Sequence, residues 1–416
     1  MWASPGARPL DRRRTCSLSV KVLFVACPRC SVEHLSKWSI TVTFLTRSTA
    51  PYEHSNVFLV DHTTQPGGAE LALPRIARHS RLSWQFAFLE PLTGSLPFDM
   101  DACILAPARP RCLPGQMIFL AKLLRAHRHD VVVSNTLRAA VLVAMLKPRG
   151  QVHVQLLRDG VSSNSLSWLK RLASGFVFKR VTKVLPNSDW TGRSVPARFR
   201  ELVSAPVFSP SGTPADIRVQ PSQESRGAPL RLLSLSRVVE WKGIHVVLEA
   251  LSLLAPQVPS KTIQLTIAGD ALMGDEGYVE RLRLAAAQLP FRVVFLAHQE
   301  NVDPLLDRHD VLIHASTRPE PFGQVIVQGL SHGLCVLASR GGGPNELLRD
   351  GDTGFLHDPG DAAGLAASIL MLLAEPDVRT RMKEAGERAA DKFSDVKCVG
   401  LLDEELTRVI LSSIPH

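Results

Sequence analysis

The chain has no apolar run long enough to form a helix that crosses a membrane. Such helices need about 18 or more consecutive uncharged apolar residues, and the 416 residues contain no such run. Cysteine is also scarce, since the seven cysteines are scattered and odd in number. This pattern favours a reducing compartment over a disulfide framework, so the sequence predicts a cytoplasmic protein.

Motifs for binding nucleic acid or metal are missing as well. The sequence has no helix-turn-helix, zinc-finger or aromatic stacking motif, so its formal net charge of +9 does not predict a nucleic-acid partner. Asp350-Gly351-Asp352 lies in a predicted turn, and we expect no metal site there.

Basic residues outnumber acidic residues only in the first half of the chain. Residues 1–215 carry 28 Lys and Arg against 12 Asp and Glu, whereas residues 216–416 carry 20 against 27. This asymmetry suggests a basic face that meets an anionic membrane or a phosphate-bearing acceptor. The alternative is a solvated basic surface with no partner.

Composition divides the chain into four parts. Residues 1–55 begin with a Pro- and Arg-rich segment without periodicity, and we expect a poorly structured extension outside the enzyme. Residues 206–229 are rich in Pro, Ser, Gly and Gln, which is typical of an interdomain linker. In residues 56–205 and 230–395, short apolar runs alternate with helical patterns, which predicts two α/β domains with doubly wound parallel sheets.

The second domain contains the most informative stretch, residues 311–355. An apolar strand starts at residue 311, a loop carries Glu320, a helix is expected over about 322–332, and a glycine loop follows the strand at 335–339. If the helical spacing extends back to Glu320, then Glu320, Gln324 and Gln328 are each four residues apart and share one face of the helix. They would then form one polar stripe that faces a crevice. The N–H groups of Phe322, Gly323 and Gln324 would then be available to an oxygen-rich ligand.

Cationic and glycine-rich loops follow other predicted strands. Arg237 and Lys242 lie after the first strand of the second domain, where an Arg fork and a Lys point charge can converge on one pyrophosphate. Gly67 and Gly68 separate the first strand of the first domain from a helix. They either admit a ligand close to the backbone or form an ordinary tight turn.

Two features of the first domain are open to two interpretations each. Asp159 follows a strand, at the edge where doubly wound sheets bind ligands, although it could equally cap a loop. Residues 167–180 form a predicted basic amphipathic helix, which suits either membrane contact or packing on the sheet.

The combined pattern resembles the donor-site signature of the family 4 retaining glycosyltransferases. It consists of Glu320-Pro321-Phe322-Gly323, a polar residue eight positions after Glu320, and a glycine loop followed by Glu346. The family has Glu where this chain has Gln328. The resemblance covers about residues 57–411 and implies a GT-B fold, in which two Rossmann-like domains face each other across a cleft. It also implies a last helix, at about residues 396–412, that packs back on the first domain.

The resemblance implies a hexosyltransferase-type enzyme of polysaccharide biosynthesis that takes a nucleotide diphosphate sugar as donor. Its acceptor would be a cell-envelope glycan or a glycolipid, with no cofactor and no metal. The implied donor-binding residues are Gly67, Gly68, Arg237, Lys242, Glu320, Phe322, Gly323, Gln324, Gln328 and Glu346. The implied catalytic residues are Glu320, Arg237, Lys242 and Asp159. A nucleotide-sugar 2-epimerase of the same fold and a non-catalytic nucleotide-sugar binder remain alternatives.

Overall fold

We analysed a computed structural model of the chain. The structure describes residues 17–19, 41–43, 56–63, 67–90, 104–105, 113–128, 130–161, 167–214, 228–271 and 276–413. Most of the predicted N-terminal extension lies outside these residues. Within it, strands β1 (Ser17–Ser19) and β2 (Thr41–Thr43) pair in antiparallel register.

The first half of the chain forms a six-stranded parallel sheet in the order β5-β4-β3-β6-β7-β8. Its strands are β3 (Asn56–Asp61), β4 (Ser83–Phe88), β5 (Ile104–Leu105), β6 (Val131–Ser134), β7 (His153–Leu157) and β8 (Lys183–Pro186). The helices are α1 (Gly68–His79), α2 (Leu113–Ala126), α3 (Leu137–Leu146), α4 (Trp168–Phe178) and α5 (Asp189–Ser194), followed by a 3-10 helix, Ala197–Leu202.

The second half forms another six-stranded parallel sheet in the order β11-β10-β9-β12-β13-β14. Its strands are β9 (Leu230–Leu235), β10 (Ile263–Ala268), β11 (Arg292–Leu296), β12 (Val311–His314), β13 (Cys335–Ser339) and β14 (Phe355–His357). The helices are α6 (Ile244–Leu254), α7 (Glu276–Ala287), α8 (Asp303–Leu306), α9 (Gln324–Ser331), α10 (Pro344–Leu347), α11 (Ala362–Ala374), α12 (Pro376–Ala390) and α13 (Asp395–Ser412). Two 3-10 helices, Glu240–Lys242 and Asp391–Phe393, complete this half.

Both sheets follow the doubly wound pattern predicted from the sequence. Strands such as β6 and β13 are buried along their whole length, because helices cover both faces of a parallel sheet. The strand order reverses between β3 and β6 in one sheet and between β9 and β12 in the other. Ligands bind at the carboxyl ends of the strands beside such reversals, so each sheet points to one candidate site.

Helix α13 crosses back to the first half, as the resemblance implied. Its Leu402 and Leu406 join the core of the first sheet beside Leu73 of α1. The Asp403 carboxylate accepts hydrogen bonds from Ser80 Oγ at 2.5 Å and from the Arg81 N–H at 2.7 Å. The last helix of the chain therefore ties the two halves together.

The first part of the predicted linker also joins the halves. Residues 207–213, which we call the strap, are largely buried. The Arg75 guanidinium donates to the Pro210 carbonyl at 3.2 Å, and the Gly212 N–H donates to Asp395 Oδ1 at 2.9 Å. The strap thus touches helix α1 of one half and helix α13 at the end of the other.

One local prediction was wrong, namely the start of helix α9. The helix begins at Gln324 rather than at about residue 322, because Gly323 has a φ of 97°, which a right-handed helix does not allow. Pro321 therefore precedes the helix, and Glu320 lies in the loop. The single helical stripe of Glu320, Gln324 and Gln328 is replaced by one loop residue and two helical residues.

Candidate active site

A glycine loop fixes Glu320 at the carboxyl edge of the second sheet. The Glu320 N–H donates to the Gly341 carbonyl at 3.3 Å, and the Gly343 N–H donates to the Glu320 carbonyl at 2.8 Å. Gly342 has a φ of 81°, and a Cβ atom there would lie 2.0 Å from the Glu320 oxygen. Only glycine fits at this position, so the glycine loop and the Glu320 loop form one rigid unit.

The Glu320 carboxylate is paired with buried cationic and polar groups. Its Oε2 accepts from Lys242 Nζ at 2.6 Å and lies 3.2 Å from His314 Nε2 and 3.5 Å from Ser316 Oγ. Burial alone would raise the pKa of Glu320, but Lys242 and His314 hold it far below its ordinary value. Glu320 therefore stays ionised, so it can accept hydrogen bonds from sugar hydroxyls but cannot act as a general acid.

His314 was missed by the sequence reasoning. It is the last residue of β12, and its ring is almost fully buried beneath Glu320. Its Nδ1 has no hydrogen-bond partner among the residues that the structure describes. The available signal was its position at the carboxyl end of a central strand, directly before the Glu320 loop.

Lys242 reaches Glu320 from the loop after β9. The following residue, Gly243, has a φ of 69°, and a Cβ atom there would lie 1.9 Å from the Ala315 carbonyl oxygen. This close approach presses the Lys242 turn against the start of the Glu320 loop. Lys242 Nζ also lies 4.3 Å from the centre of the Trp241 ring, which favours a fixed position for the ammonium group.

Arg237 lies in the same loop with an exposed side chain. It forms no ion pair with any residue in the described part of the chain. Its charge acts on Asp159 of the first half, as does the charge of Glu320. Arg237 and Glu320 therefore both lie close to Asp159 in the space between the halves, and the exposed Arg237 guanidinium is accessible to an anion.

Asp159 enters this space from the end of β7. Its side chain is accessible to water, but the surrounding protein and the Glu320 carboxylate raise the pKa of Asp159, whereas Lys170 and Arg237 act to lower it. The first half thus contributes a carboxyl group whose charge depends on its neighbours across the cleft.

The glycine pair of the first half meets helix α9 across the cleft. Gln324 Nε2 donates to the Gly68 carbonyl at 2.9 Å. A Cβ atom at Gly67 would lie 2.6 Å from Glu70 Oε2, so the pair also leaves room for a buried carboxyl group. Burial, together with the charge of Asp61, raises the pKa of Glu70 to about 6.

A buried polar network behind these glycines was also missed. Asn135 Nδ2 donates to Asp61 Oδ2 at 2.7 Å, and Arg158 Nε donates to Asn135 Oδ1 at 3.3 Å. Arg158 also donates to Ser209 of the strap. Burial lowers the pKa of Arg158 to about 10, although the nearby acidic groups oppose this shift. Asp61 ends β3, whereas Asn135 and Arg158 directly follow β6 and β7, so only the strand order brings these side chains together.

Three more of the predicted donor-binding residues, namely Phe322, Gln328 and Glu346, also have protein partners in the structure. Phe322 is buried against Phe208 and Phe393, so its side chain belongs to the core. Gln328 Nε2 donates to the Ser211 carbonyl of the strap at 2.7 Å. No residue in the described ranges donates to Gln328 Oε1, which leaves that oxygen for a ligand hydroxyl.

Glu346, the third of these residues, joins the two halves. Its carboxylate accepts from the N–H groups of Asp189 at 2.8 Å and Trp190 at 2.7 Å, at the start of α5. Nearby, Ser188 Oγ donates to the Pro321 carbonyl at 2.6 Å. Glu346 therefore holds the first half against the Glu320 loop.

The described residues contain no group of three or more His, Cys, Asp or Glu residues arranged to hold a metal ion. Asp350 and Asp352 pair instead with Arg340 at 2.5 Å and Arg349 at 2.7 Å. Among the helices that the structure describes, we find no candidate for a membrane-spanning segment.

The second half of the chain matches a known family, and the chain has relatives among curated proteins. Residues 217–389 match the family described as Glycosyl transferases group 1. The chain is 33% identical to the lipopolysaccharide core biosynthesis glycosyltransferase LpsE of Rhizobium meliloti over 52% of this chain and 55% of LpsE. It is 30% identical to the N-acetyl-alpha-D-glucosaminyl L-malate synthase of Bacillus anthracis over 40% of this chain and 42% of that protein. The chain thus spans about half the length of the curated relatives it matches.

Comparison with solved structures covers both halves. The structure of Anabaena HepE in complex with UDP-glucose aligns with 85% of this chain and 100% of HepE, with a TM-score of 0.70 and 26% identity. The two parallel sheets, the interleaved helices and these structural neighbours confirm the predicted GT-B fold.

Proposed function

We propose that this protein is a retaining glycosyltransferase that moves a sugar from a nucleoside diphosphate sugar to an acceptor hydroxyl. The observation that carries the proposal is the grouping of Lys242, Glu320 and Arg237 at the carboxyl edge of the second sheet, opposite Asp159. The match of residues 217–389 to group 1 glycosyl transferases supports it. Retention at the anomeric carbon rests on the resemblance to the family 4 enzymes.

In this proposal the leaving diphosphate is stabilised by fixed positive charge. An ammonium group has three N–H donors, so Lys242 can bind Glu320 and still donate to phosphate oxygens. Arg237 adds a bidentate fork, since it has no competing ion pair among the described residues. These two side chains, together with the N–H groups before α9, stabilise the negative charge that develops on the diphosphate in the transition state. We therefore propose activity without a divalent ion.

Other residues at the same edge of the second sheet bind the donor sugar and the ribose. The ionised Glu320 carboxylate accepts hydrogen bonds from donor-sugar hydroxyls, and Gln328 Oε1 accepts one from a ribose hydroxyl. We propose a UDP-sugar as donor, because the structure of HepE, which is 26% identical, is a complex with UDP-glucose. We propose an envelope glycan or glycolipid as acceptor, in line with the name of LpsE, and action at the inner face of an anionic membrane.

A donor screen tests the proposal. The full chain is incubated with UDP-glucose, UDP-N-acetylglucosamine, GDP-mannose or ADP-glucose in EDTA, and release of the nucleoside diphosphate is measured with and without glycolipid extract. Acceptor-dependent release from one UDP-sugar, with the anomeric configuration of the product unchanged by NMR, is the expected result. Isomerised sugar without acceptor would indicate the epimerase instead. Binding of a UDP-sugar without any turnover would indicate the non-catalytic binder.

A further inference from the structure

The first half of helix α4 projects large apolar side chains into water. Trp168 is 66% exposed, Leu169 is 60% exposed and Leu172 is 64% exposed. Residues three and four positions apart on a helix are neighbours, so the three side chains form one patch. The second half of the helix is anchored, because Val177 and Phe178 are buried in the core. The patch is therefore held rigidly rather than carried on a loose end.

Two cations lie in the same turn of the helix as this patch. Lys170 and Arg171 are exposed and form no ion pair with any residue in the described ranges. Helix α4 contains no acidic residue, and the first 215 residues carry 28 Lys and Arg against 12 Asp and Glu. A surface with apolar and cationic side chains and no acidic side chains is suited to a partner surface that is both apolar and negatively charged.

The patch lies near the mouth of the cleft. Helices α3 and α4 pack side by side after parallel strands, so the start of α4 lies at the carboxyl edge of the first sheet. In agreement, the charge of Lys170 acts to lower the pKa of Asp159, which faces Glu320 across the cleft. A surface bound by the patch would thus lie beside the acceptor side of the site.

A second copy of the chain fits the patch poorly. A stable protein interface buries about 800 Å² on each partner, which is far more than three side chains supply. In a two-fold symmetric pair the same patch occupies both sides of the interface. Lys170 and Arg171 would then face their own copies and repel them.

We propose that Trp168, Leu169 and Leu172 insert into the interface of an anionic lipid bilayer while Lys170 and Arg171 bind its headgroups. Trp is favoured at this depth of a bilayer because its ring is amphipathic. This docking would hold the cleft mouth at the membrane surface, where a lipid-linked acceptor is presented. The inference names the surface for the membrane contact above, and its role in transfer rests on the proposed function.

Vesicle flotation with the full chain tests the docking. The vesicles contain phosphatidylcholine alone or with about one-third phosphatidylglycerol. We expect binding to the anionic vesicles only. Changing Trp168, Leu169 and Leu172 together to Ser should weaken this binding about tenfold or more, because the buried apolar area is lost. Changing Lys170 and Arg171 to Gln should weaken it about fivefold for each cation removed.

Matched controls keep the result specific. Leu284→Ser removes a side chain that is also 60% exposed, but on α7 of the second half, and should leave binding unchanged. Equal loss in Leu284→Ser, or equal wild-type binding to neutral vesicles, would overturn the proposal. So would wild-type flotation with neither vesicle, or self-association by light scattering that the Ser variant abolishes. Transfer to a water-soluble acceptor is measured in parallel, so that loss of the enzyme activity is distinguished from loss of docking.

Discussion

The two halves of the molecule place carboxyl groups at the same edge of similar sheets, but in opposite electrostatic states. In the second half, Lys242 and His314 outweigh burial and keep the pKa of Glu320 far below its ordinary value. In the first half, burial raises the pKa of Glu70 to about 6, and the surrounding protein together with the Glu320 carboxylate raises the pKa of Asp159. The second half thus keeps the Glu320 carboxylate permanently charged. In the first half, the charges of Glu70 and Asp159 depend on their surroundings.

This difference matches the two tasks in the proposed reaction. A diphosphate leaving group has the same charge for every donor sugar, so a permanent arrangement of Lys242, Glu320 and Arg237 serves it. In the same proposal the acceptor binds to the first half, where glycines and titratable groups line the cleft. Variants with a change in only one half test whether the second half serves the donor and the first half serves the acceptor.

The largest expected effect is the loss of either cation of the second half. Arg237→Ala and Lys242→Ala should each slow transfer by about 2–4 kcal/mol in activation free energy, since each removes a preorganised partner of the leaving charge. The effect is measured as kcat/KM with saturating acceptor. Arg283→Ala, which removes an exposed arginine from α7, is the matched control. Unchanged turnover in both site variants would contradict the division of roles.

A smaller effect is expected from the pH dependence of Glu70. A carboxyl group whose pKa is raised on folding holds its proton more tightly in the folded state. Its stabilising contribution is therefore complete below its unfolded pKa of 4.5 and is lost as the pH rises through about 6. For this shift the loss amounts to about 2 kcal/mol. Glu70→Gln should remove that loss.

Urea unfolding at pH 4 and pH 7 measures this prediction. The unfolding free energy of Glu70→Gln relative to wild type should rise by about 2 kcal/mol between the two pH values. Glu280→Gln, an exposed change on α7, should show no such rise. A relative stability of Glu70→Gln that is the same at both pH values would refute the buried, proton-holding role of Glu70.

The smallest effect concerns Gln328, where the related family has Glu. Gln328 Nε2 donates to the Ser211 carbonyl of the strap, and a carboxylate cannot donate. Gln328→Glu should therefore destabilise the protein by about 1 kcal/mol at pH 7. Gln324→Glu breaks a similar contact, to the Gly68 carbonyl, at an exposed position and should cost less. If Gln328→Glu stabilises the protein, the strap contact is not the reason for the amide at this position.

Some of these features were predictable from the sequence because they are local. The doubly wound sheets follow from alternating apolar runs and helical patterns, and Arg237, Lys242 and the glycine loop are continuous with the strands that position them. The start of α9 was not predicted, because the left-handed conformation of Gly323 overrides the preference of Pro321 for the first turn of a helix.

The contacts that depend on how the two halves dock were not predictable. Nothing within the neighbouring sequence joins Glu346 to the start of α5, or Gln328 to the strap, since these partners are 157 and 117 residues apart. The Asp61–Asn135–Arg158 network was missed for a similar reason, because the order of the strands brings its members together. His314 lies only six residues from Glu320, and it was missed although its place at the end of β12 was a local signal. The sequence patterns thus indicated which sheet edges are candidate ligand sites but not which side chains are already engaged by the protein.

In the proposed reaction, side-chain cations of the second half, rather than a divalent ion, hold the donor diphosphate. Isothermal titration of UDP into the full chain in EDTA measures this binding, with Arg237→Ala as the comparison, because this exposed side chain has no ion pair to disrupt among the described residues. We expect binding in EDTA that weakens at least tenfold in Arg237→Ala. Binding that requires added magnesium, or that is equally tight in Arg237→Ala, would contradict it.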